Sequence, residues 1–224
     1  MKAVVLLSGG LDSTTIVRIT QERGYQVYPL TFNYGQKHSV EIDSAKKICK
    51  KYCIKNHCIV NIDIKAIGGS ALTDNKLQVN KDGINKANIP LSYVPARNTI
   101  FLSYALGYAE VIGASKIFIG INAIDYSGYP DCRPEYLDKF NELANLATAA
   151  GVKGELTIEV EAPLLYMSKS EIIAKGTRLG VDYSDTLSCY DPDKNGSACG
   201  QCDACILRLE GFKANNMRDS AQYQ

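Results

Sequence analysis

Two hydrophobic rhythms alternate along the first two thirds of the chain. Residues 2–7 and 26–32 are short, β-rich apolar runs that read as buried strands. Between them, Leu11, Ile16, Val17 and Ile19 have helical spacing over 11–23, and Gly24 is a stop signal. The alternation continues with a predicted helix over 39–52, a strand over 58–64 and a helix over 101–112. A strand over 116–121, a helix over 134–150 and a strand over 156–160 follow. Ser168-Lys169-Ser170-Glu171 has the capping-box pattern and opens a predicted helix over 168–179. Strands alternating with helices imply βαβ units, hence an α/β fold with a mostly parallel sheet and helices on both faces. Such sheets bind ligands beyond the carboxyl ends of their strands. Segments 8–13, 33–38, 65–98, 121–135 and 161–169 are therefore where a site is expected. Residues 65–95 form a long connection of weak periodicity, the kind that is commonly functional. From Ser188 the rhythm stops, and Cys, Gly and Asp take over. That change predicts a metal-stapled tail rather than another layer on the sheet.

Composition narrows the class. The 224 residues are 46% hydrophobic and 22% charged, which sets aside disorder, collagen and coiled coil. Lys and Arg number 25 against 24 Asp and Glu, a net charge of +1. With no basic excess, extended duplex binding is unsupported and no nucleic-acid partner is expected. No apolar run approaches the roughly 20 residues of a membrane helix. The N-terminal run, residues 3–7, is shorter than a signal-peptide core. A cytoplasmic location with no membrane partner is the default expectation. Eight cysteines are many for that compartment, and four of them fall between 189 and 205.

Ser8-Gly9-Gly10-Leu11-Asp12-Ser13 follows the first strand and opens the first helix. Glycines allow a tight turn and close approach to a ligand, and a helix start presents unpaired N–H groups. These are the requirements of a phosphate cradle, although a plain glycine turn would look the same. Neither G-x-x-x-x-G-K-[ST] nor G-x-G-x-x-G is present, which disfavours the usual NTPase loop and the dinucleotide fold. The segment resembles the S-G-G-x-D-S signature of the pyrophosphatase-loop ATPases. That resemblance implies an adenine-nucleotide alpha-hydrolase-like fold in which the loop holds ATP phosphates. Ser8, Gly9, Gly10, Leu11, Asp12, Ser13 and Thr14 would bind ATP, and the substrate would attack the α phosphate and release pyrophosphate.

Cys189, Cys199, Cys202 and Cys205 form the second constellation. Two overlapping C-x-x-C steps bring three sulfurs together, and Cys189 can close a tetrahedral site across a turn-rich loop. Structural zinc is favoured, because no position is left open. Iron–sulfur or redox chemistry would use similar residues. Cys49 and Cys53, with His57 and Cys58 nearby, read as buried or helix-face residues rather than a second metal site.

Residues 122–135 place three carboxylates, two tyrosines and an arginine after a strand. Together with Asn33-Tyr34-Gly35-Gln36-Lys37-His38, Pro95-Ala96-Arg97-Asn98 and the terminal cysteines, this loop resembles the 7-cyano-7-deazaguanine synthase family of queuosine precursor biosynthesis. The resemblance runs from Met1 to about Phe212. It implies conversion of a 7-carboxy-7-deazaguanine, ammonia and ATP, with magnesium, into the nitrile through adenylated carboxylate and amide intermediates. Asp125, Asp131 and Glu135 would accept the donors of the deazaguanine edge. Tyr126 or Tyr129 would stack on the ring, and Arg133 would hold a carboxylate or acyl phosphate. Asp12, Arg97 and Lys169 would be the catalytic group, the two cations opposing charge as pyrophosphate leaves. His38 is a weaker candidate for proton transfer. The family also implies a homodimer. The chain divides into an ATP-pyrophosphatase unit over 1–187, a zinc-binding segment over 188–212 and a tail over 213–224. A tRNA-modifying relative, an ammonia-dependent NAD synthetase and a non-catalytic zinc module that binds nucleic acid are the rival readings.

Overall fold

The computed structural model describes residues 1–36, 40–74, 76–81, 83–84, 89–124 and 129–224. Five parallel strands form one sheet: β1 (Lys2–Leu6), β2 (Gln26–Asn33), β3 (Cys58–Asn61), β4 (Lys116–Phe118) and β5 (Glu159–Glu161), in the order β3-β2-β1-β4-β5. Side chains along a strand alternate between faces. Accordingly Val4 and Leu6 join one core cluster, while Ala3, Val5 and Leu7 join the other. Helices α3 (Arg97–Ile112) and α4 (Pro134–Leu146) cover the first face through Leu102, Ala105, Leu106, Phe140 and Ala144. Helices α1 (Leu11–Glu22), α2 (Val40–Lys51) and α6 (Lys169–Arg178) cover the second through Ile16, Ile19, Ile48 and Ile172. Both faces are covered, so after the exposed Lys2 the central strand is apolar and nearly inaccessible.

The chain runs outward from β1 through β2 to β3, then returns to place β4 on the other side of β1. The crevice at the carboxyl ends of β1 and β4 is the topological switch point, where open α/β sheets bind ligands.

Several elements differ from expectation. Strand β4 stops at Phe118, three residues early, and Gly120 just beyond it packs against the start of α1. A Cβ on Gly120 would lie 3.4 Å from the Ser13 nitrogen. Helix α3 begins at Arg97, four residues before the apolar rhythm shows it. The predicted helix over 134–150 breaks after Leu146, and Thr148 caps a short α5 (Ala149–Val152) by accepting the Gly151 N–H. The capping box at Ser168 and Glu171 is formed as read.

The tail departs most. Helix α7 (Asp203–Ala214) starts between two of the cysteines, with Cys202 as its N-cap. Its buried side carries Arg208 and Gly211 where a stripe would carry hydrophobes, so periodicity misses it. The end of the chain also folds back. Arg208 donates to both Asp219 oxygens at 2.7 and 2.9 Å, and the Ala198 N–H donates to the Gln222 carbonyl at 2.8 Å.

Candidate active site and cysteine centre

A cavity of about 220 Å³ opens at the switch point. Ser8, Gly10, Leu11, Asp12 and Ser13 form one wall of it. Gly9 holds the turn at φ +86°, the left-handed region that favours glycine. A Cβ there would come within 2.5 Å of the Glu41 carbonyl oxygen and 2.9 Å of the Ala45 nitrogen. Gly9 thus lets α2 close onto the loop, whereas Gly10 has ordinary dihedrals and 3.4 Å of clearance. The Ser8 N–H and hydroxyl both meet Ser13 Oγ, at 3.3 and 3.2 Å, so the two serines stand together. Thr14 is fully buried, and its hydroxyl donates to the Gly10 carbonyl.

Asp12 and Lys169 come from α1 and α6 and meet at the cavity edge. Lys169 Nζ lies 2.8 Å from each Asp12 carboxylate oxygen. Their side chains are 8% and 19% exposed, so this is a largely buried, two-point ion pair. Arg97 lines the opposite side with its guanidinium 5.9 Å from the centre of the Tyr34 ring, and donates to the Tyr34 hydroxyl at 3.4 Å. Burial pushes the Tyr34 phenol up to about 12 despite the arginine. The three residues proposed from sequence as catalytic therefore border one cavity.

The loop after β4 divides. Tyr129 reaches the cavity, with its hydroxyl 2.8 Å from Ser92 Oγ and its ring 5.6 Å from that of Tyr93. Asp131 does not reach it. The Asn98 backbone N–H donates to the Asp131 carboxylate at 3.0 Å, and the Asn98 side chain donates to the Asp131 carbonyl at 3.1 Å. One oxygen of its carboxylate is thus engaged at the start of α3. Arg133 and Glu135 are exposed at the entry to α4 and also lie off the cavity wall. Of the residues expected from sequence to meet the substrate, Tyr129 lines this cavity, whereas Asp131, Arg133 and Glu135 lie beside it. Asp125, Tyr126 and His38 lie outside the described residues.

Other lining residues carried no sequence signal of their own. Glu41 is the main one: burial raises its carboxyl to about 7, against the opposing pull of Arg97. It sits in the first turn of α2, just past the loop segment that follows β2, so searching helix starts as well as loops would have found it. Asn122 donates to the carbonyls of Leu164 and Met167 and ties the end of β4 to the approach of α6. Cys132 also lines the cavity, and its thiol is pushed up to about 12 by burial, which makes it a poor nucleophile.

The cysteine segment supplies the last wall. The Leu187 N–H donates to the Gly9 carbonyl at 3.0 Å, and the Leu11 N–H donates to Ser188 Oγ at 3.2 Å. Tyr190, Ala204 and Arg208 face the same cavity. The sulfurs of Cys189, Cys199, Cys202 and Cys205 lie within 4.8 Å of one another. Four sulfurs at about 2.3 Å from a tetrahedral ion would be just under 4 Å apart, so the donor set fits one metal ion. Backbone N–H groups of Asp191 and Cys199 donate to Cys189 Sγ at 3.3 and 3.2 Å, as suits thiolates. Cys49 is buried, Cys53 exposed and Cys58 half-buried, and they form no such group among the described residues.

A parallel α/β protein with a glycine turn at its switch point and a four-cysteine centre bracing that turn is a specific class. Comparison with known proteins resolves it further. Residues 2–216 match the family described as "Queuosine biosynthesis protein QueC", and the chain belongs to that family. It is 57% identical over 222 residues to the 7-cyano-7-deazaguanine synthase of Geotalea daltonii, covering 99% of this chain and 96% of that one. It is 54% identical over 224 residues to the enzyme of the same name from Desulfatibacillum aliphaticivorans, with 99% and 96% covered. Among solved structures, a predicted subunit of tRNA methyltransferase from Methanocaldococcus jannaschii shares the fold. It has a TM-score of 0.52, 15% identity, and 97% and 89% of the two chains covered. The NMN synthetase of Francisella tularensis gives 0.51 at 16% identity, with 97% and 78% covered.

Proposed function

We propose that this chain is an ATP-dependent ligase that converts 7-carboxy-7-deazaguanine and ammonia to 7-cyano-7-deazaguanine. The observation that carries this reading is the phosphate-type loop, with Asp12–Lys169 and Arg97, at the switch point of a chain with near-full-length relatives bearing that name. A carboxylate oxygen is a poor leaving group, and adenylation turns it into one that departs as a phosphate ester. Ammonia then gives the amide, and a second activation at the amide oxygen permits loss of that oxygen. One adenylating cavity serves both rounds.

In this reading the loop amides, Ser8 and Ser13 hold the phosphates of ATP, which enters with magnesium. Lys169 and Arg97 oppose the negative charge that grows on pyrophosphate. Tyr129 presents its ring to the base, and Asp125 and Tyr126 belong to the same substrate loop. Asp131, Arg133 and Glu135 belong to that loop as well and contact the substrate, and Asp131 also holds the start of α3. The four cysteines hold zinc, whose chemistry is structural because no coordination position is open. The same reading keeps residues 1–187 as the catalytic unit, 188–212 as the zinc segment and 213–224 as a terminal stretch. It places the enzyme in the cytoplasm as a homodimer.

The test is ATP–pyrophosphate exchange. Exchange that depends on 7-carboxy-7-deazaguanine, followed by the nitrile when ammonium is added, is the expected result. Exchange that ignores the deazapurine, or requires a tRNA, would exclude the reading.

A further inference from the structure

Asp12 has its counter-ion in Lys169, but Glu41 has none at contact distance among the described residues. Its carboxyl makes no side-chain hydrogen bond among the described residues, and it shares the cavity with Ser8, Ser13 and Arg97. Its position is fixed by the backbone. The Glu41 carbonyl closes against Gly9 so tightly that no Cβ fits between them. The first turn of α2 is therefore held against the loop assigned to phosphate. A carboxylate beside anions is unfavourable unless it is protonated or meets a cation. Among the described residues the titratable groups facing it are few. Arg97 stands on α3 and the Tyr34 phenol follows β2, while Tyr129 and Tyr190 face Arg97 rather than Glu41. Across the cavity Asp12 and Lys169 neutralise each other.

We propose that Glu41 is the proton acceptor through which this cavity takes up ammonium and delivers it as ammonia to the activated carboxyl carbon. The proposal rests on the ligase reading above. Ammonium gives one proton to the Glu41 carboxylate and becomes ammonia. The nitrogen lone pair then forms the C–N bond, and the bond from carbon to the adenylate oxygen breaks. The amide and AMP result, with the second nitrogen proton leaving to the departing phosphate and the first passing from Glu41 to solvent. Burial supplies the matching basicity, because a carboxyl raised to about 7 holds and releases a proton at neutral pH.

Glu41→Gln keeps the shape and removes the base. Its exchange of pyrophosphate into ATP, driven by 7-carboxy-7-deazaguanine without ammonium, should stay within about threefold of the parent, since adenylation does not need Glu41. Amide formation from ammonium chloride at pH 7 should fall about 100-fold. In the variant the rate should climb about tenfold per pH unit toward the pKa of ammonium itself, because free ammonia must come from bulk solvent. In the parent enzyme it should level off just above pH 7, a measurement independent of whether the variant folds. A parallel loss of exchange would make Glu41 part of adenylation or magnesium binding. An unchanged amide rate, or a parent rate that keeps climbing to the ammonium pKa, would overturn the proposal. Absence of exchange in the parent would instead defeat the ligase reading.

Discussion

At the scale of single residues, the cavity holds two carboxylates in opposite circumstances. Asp12 is paired at 2.8 Å to a lysine, whereas Glu41 is half-buried, with Arg97 the cation that balances it among the described residues. Because the folded-state value of Glu41, about 7, lies above its ordinary 4.5, the folded protein binds more protons than the unfolded chain between those values. Stability from this group is complete below about pH 4.5 and is lost as pH rises through 7. Glu41→Gln should therefore be more stable than the parent at pH 8, by on the order of 1–3 kcal/mol, with the gap closing below pH 5. Thermal melts across that range check the sign, and a variant less stable than its parent at pH 8 would contradict it. Lys169→Met does the reverse. It strands Asp12 in a largely buried place and should cost about 3 kcal/mol, together with a loss of exchange of roughly 10²-fold or more. Adding Asp12→Asn should restore most of the stability and none of the exchange, which separates the pair's structural and chemical parts. Sequence made Asp12 legible because it sits inside a motif with a mechanism. Lys169 was legible as a cation opening a helix after the last strand, though not as the partner of Asp12, and Glu41 was not legible at all. Its meaning depends on Gly9 letting α2 close in, a contact between residues 32 positions apart in the chain.

At the scale of elements, the rhythm of apolar residues located all five strands and most helices, because each buries one face or both against the sheet. It failed where a distant segment decides a boundary. Helix α3 starts at Arg97 behind Ala96, which has a left-handed backbone and no capping side chain. The cap comes from elsewhere: Asp131 accepts the N–H of the second helical residue, Asn98, from a loop 33 positions away. No local pattern at 96–98 could announce that. The partnership also explains why Pro95-Ala96-Arg97-Asn98 and the loop ending at Glu135 act as one unit, since Asp131 sets where Arg97 enters the cavity. Asp131→Ala should cost about 1–2 kcal/mol, the value of a lost cap, and free the start of α3. Arg97 would then be less well placed, so exchange should fall along with affinity for the deazapurine. A loss confined to stability, with exchange at the parent rate, would show that Arg97 keeps its place without Asp131.

At the scale of the whole molecule, the cysteine centre and the loop from Ser8 to Ser13 are one mechanical unit. The segment entering the centre pins the loop by two hydrogen bonds, from the Leu187 N–H to the Gly9 carbonyl and from the Leu11 N–H to Ser188 Oγ. The segment leaving it becomes α7, whose Arg208 donates to the Thr186 and Tyr183 carbonyls and to Asp219. The ion pair with Asp219 is nearly inaccessible, at 4% and 3% exposure, and so depends on α7 staying seated. Four free thiols cannot hold these strands of backbone together, whereas a metal ion can supply that folding energy. With the ion removed, the wall formed by residues 187–190 should detach from the loop, and the buried Arg208–Asp219 pair should lose its shelter. Chelation should accordingly abolish exchange and reduce helical circular dichroism together, and Cys202→Ala should yield protein of lower solubility. Metal analysis of the untreated enzyme should show about one zinc per chain and a colourless solution. Iron and sulfide in a brown protein would reassign the metal. Undiminished exchange after complete removal would break the mechanical link, because the loop would then hold its shape without the wall that the centre secures.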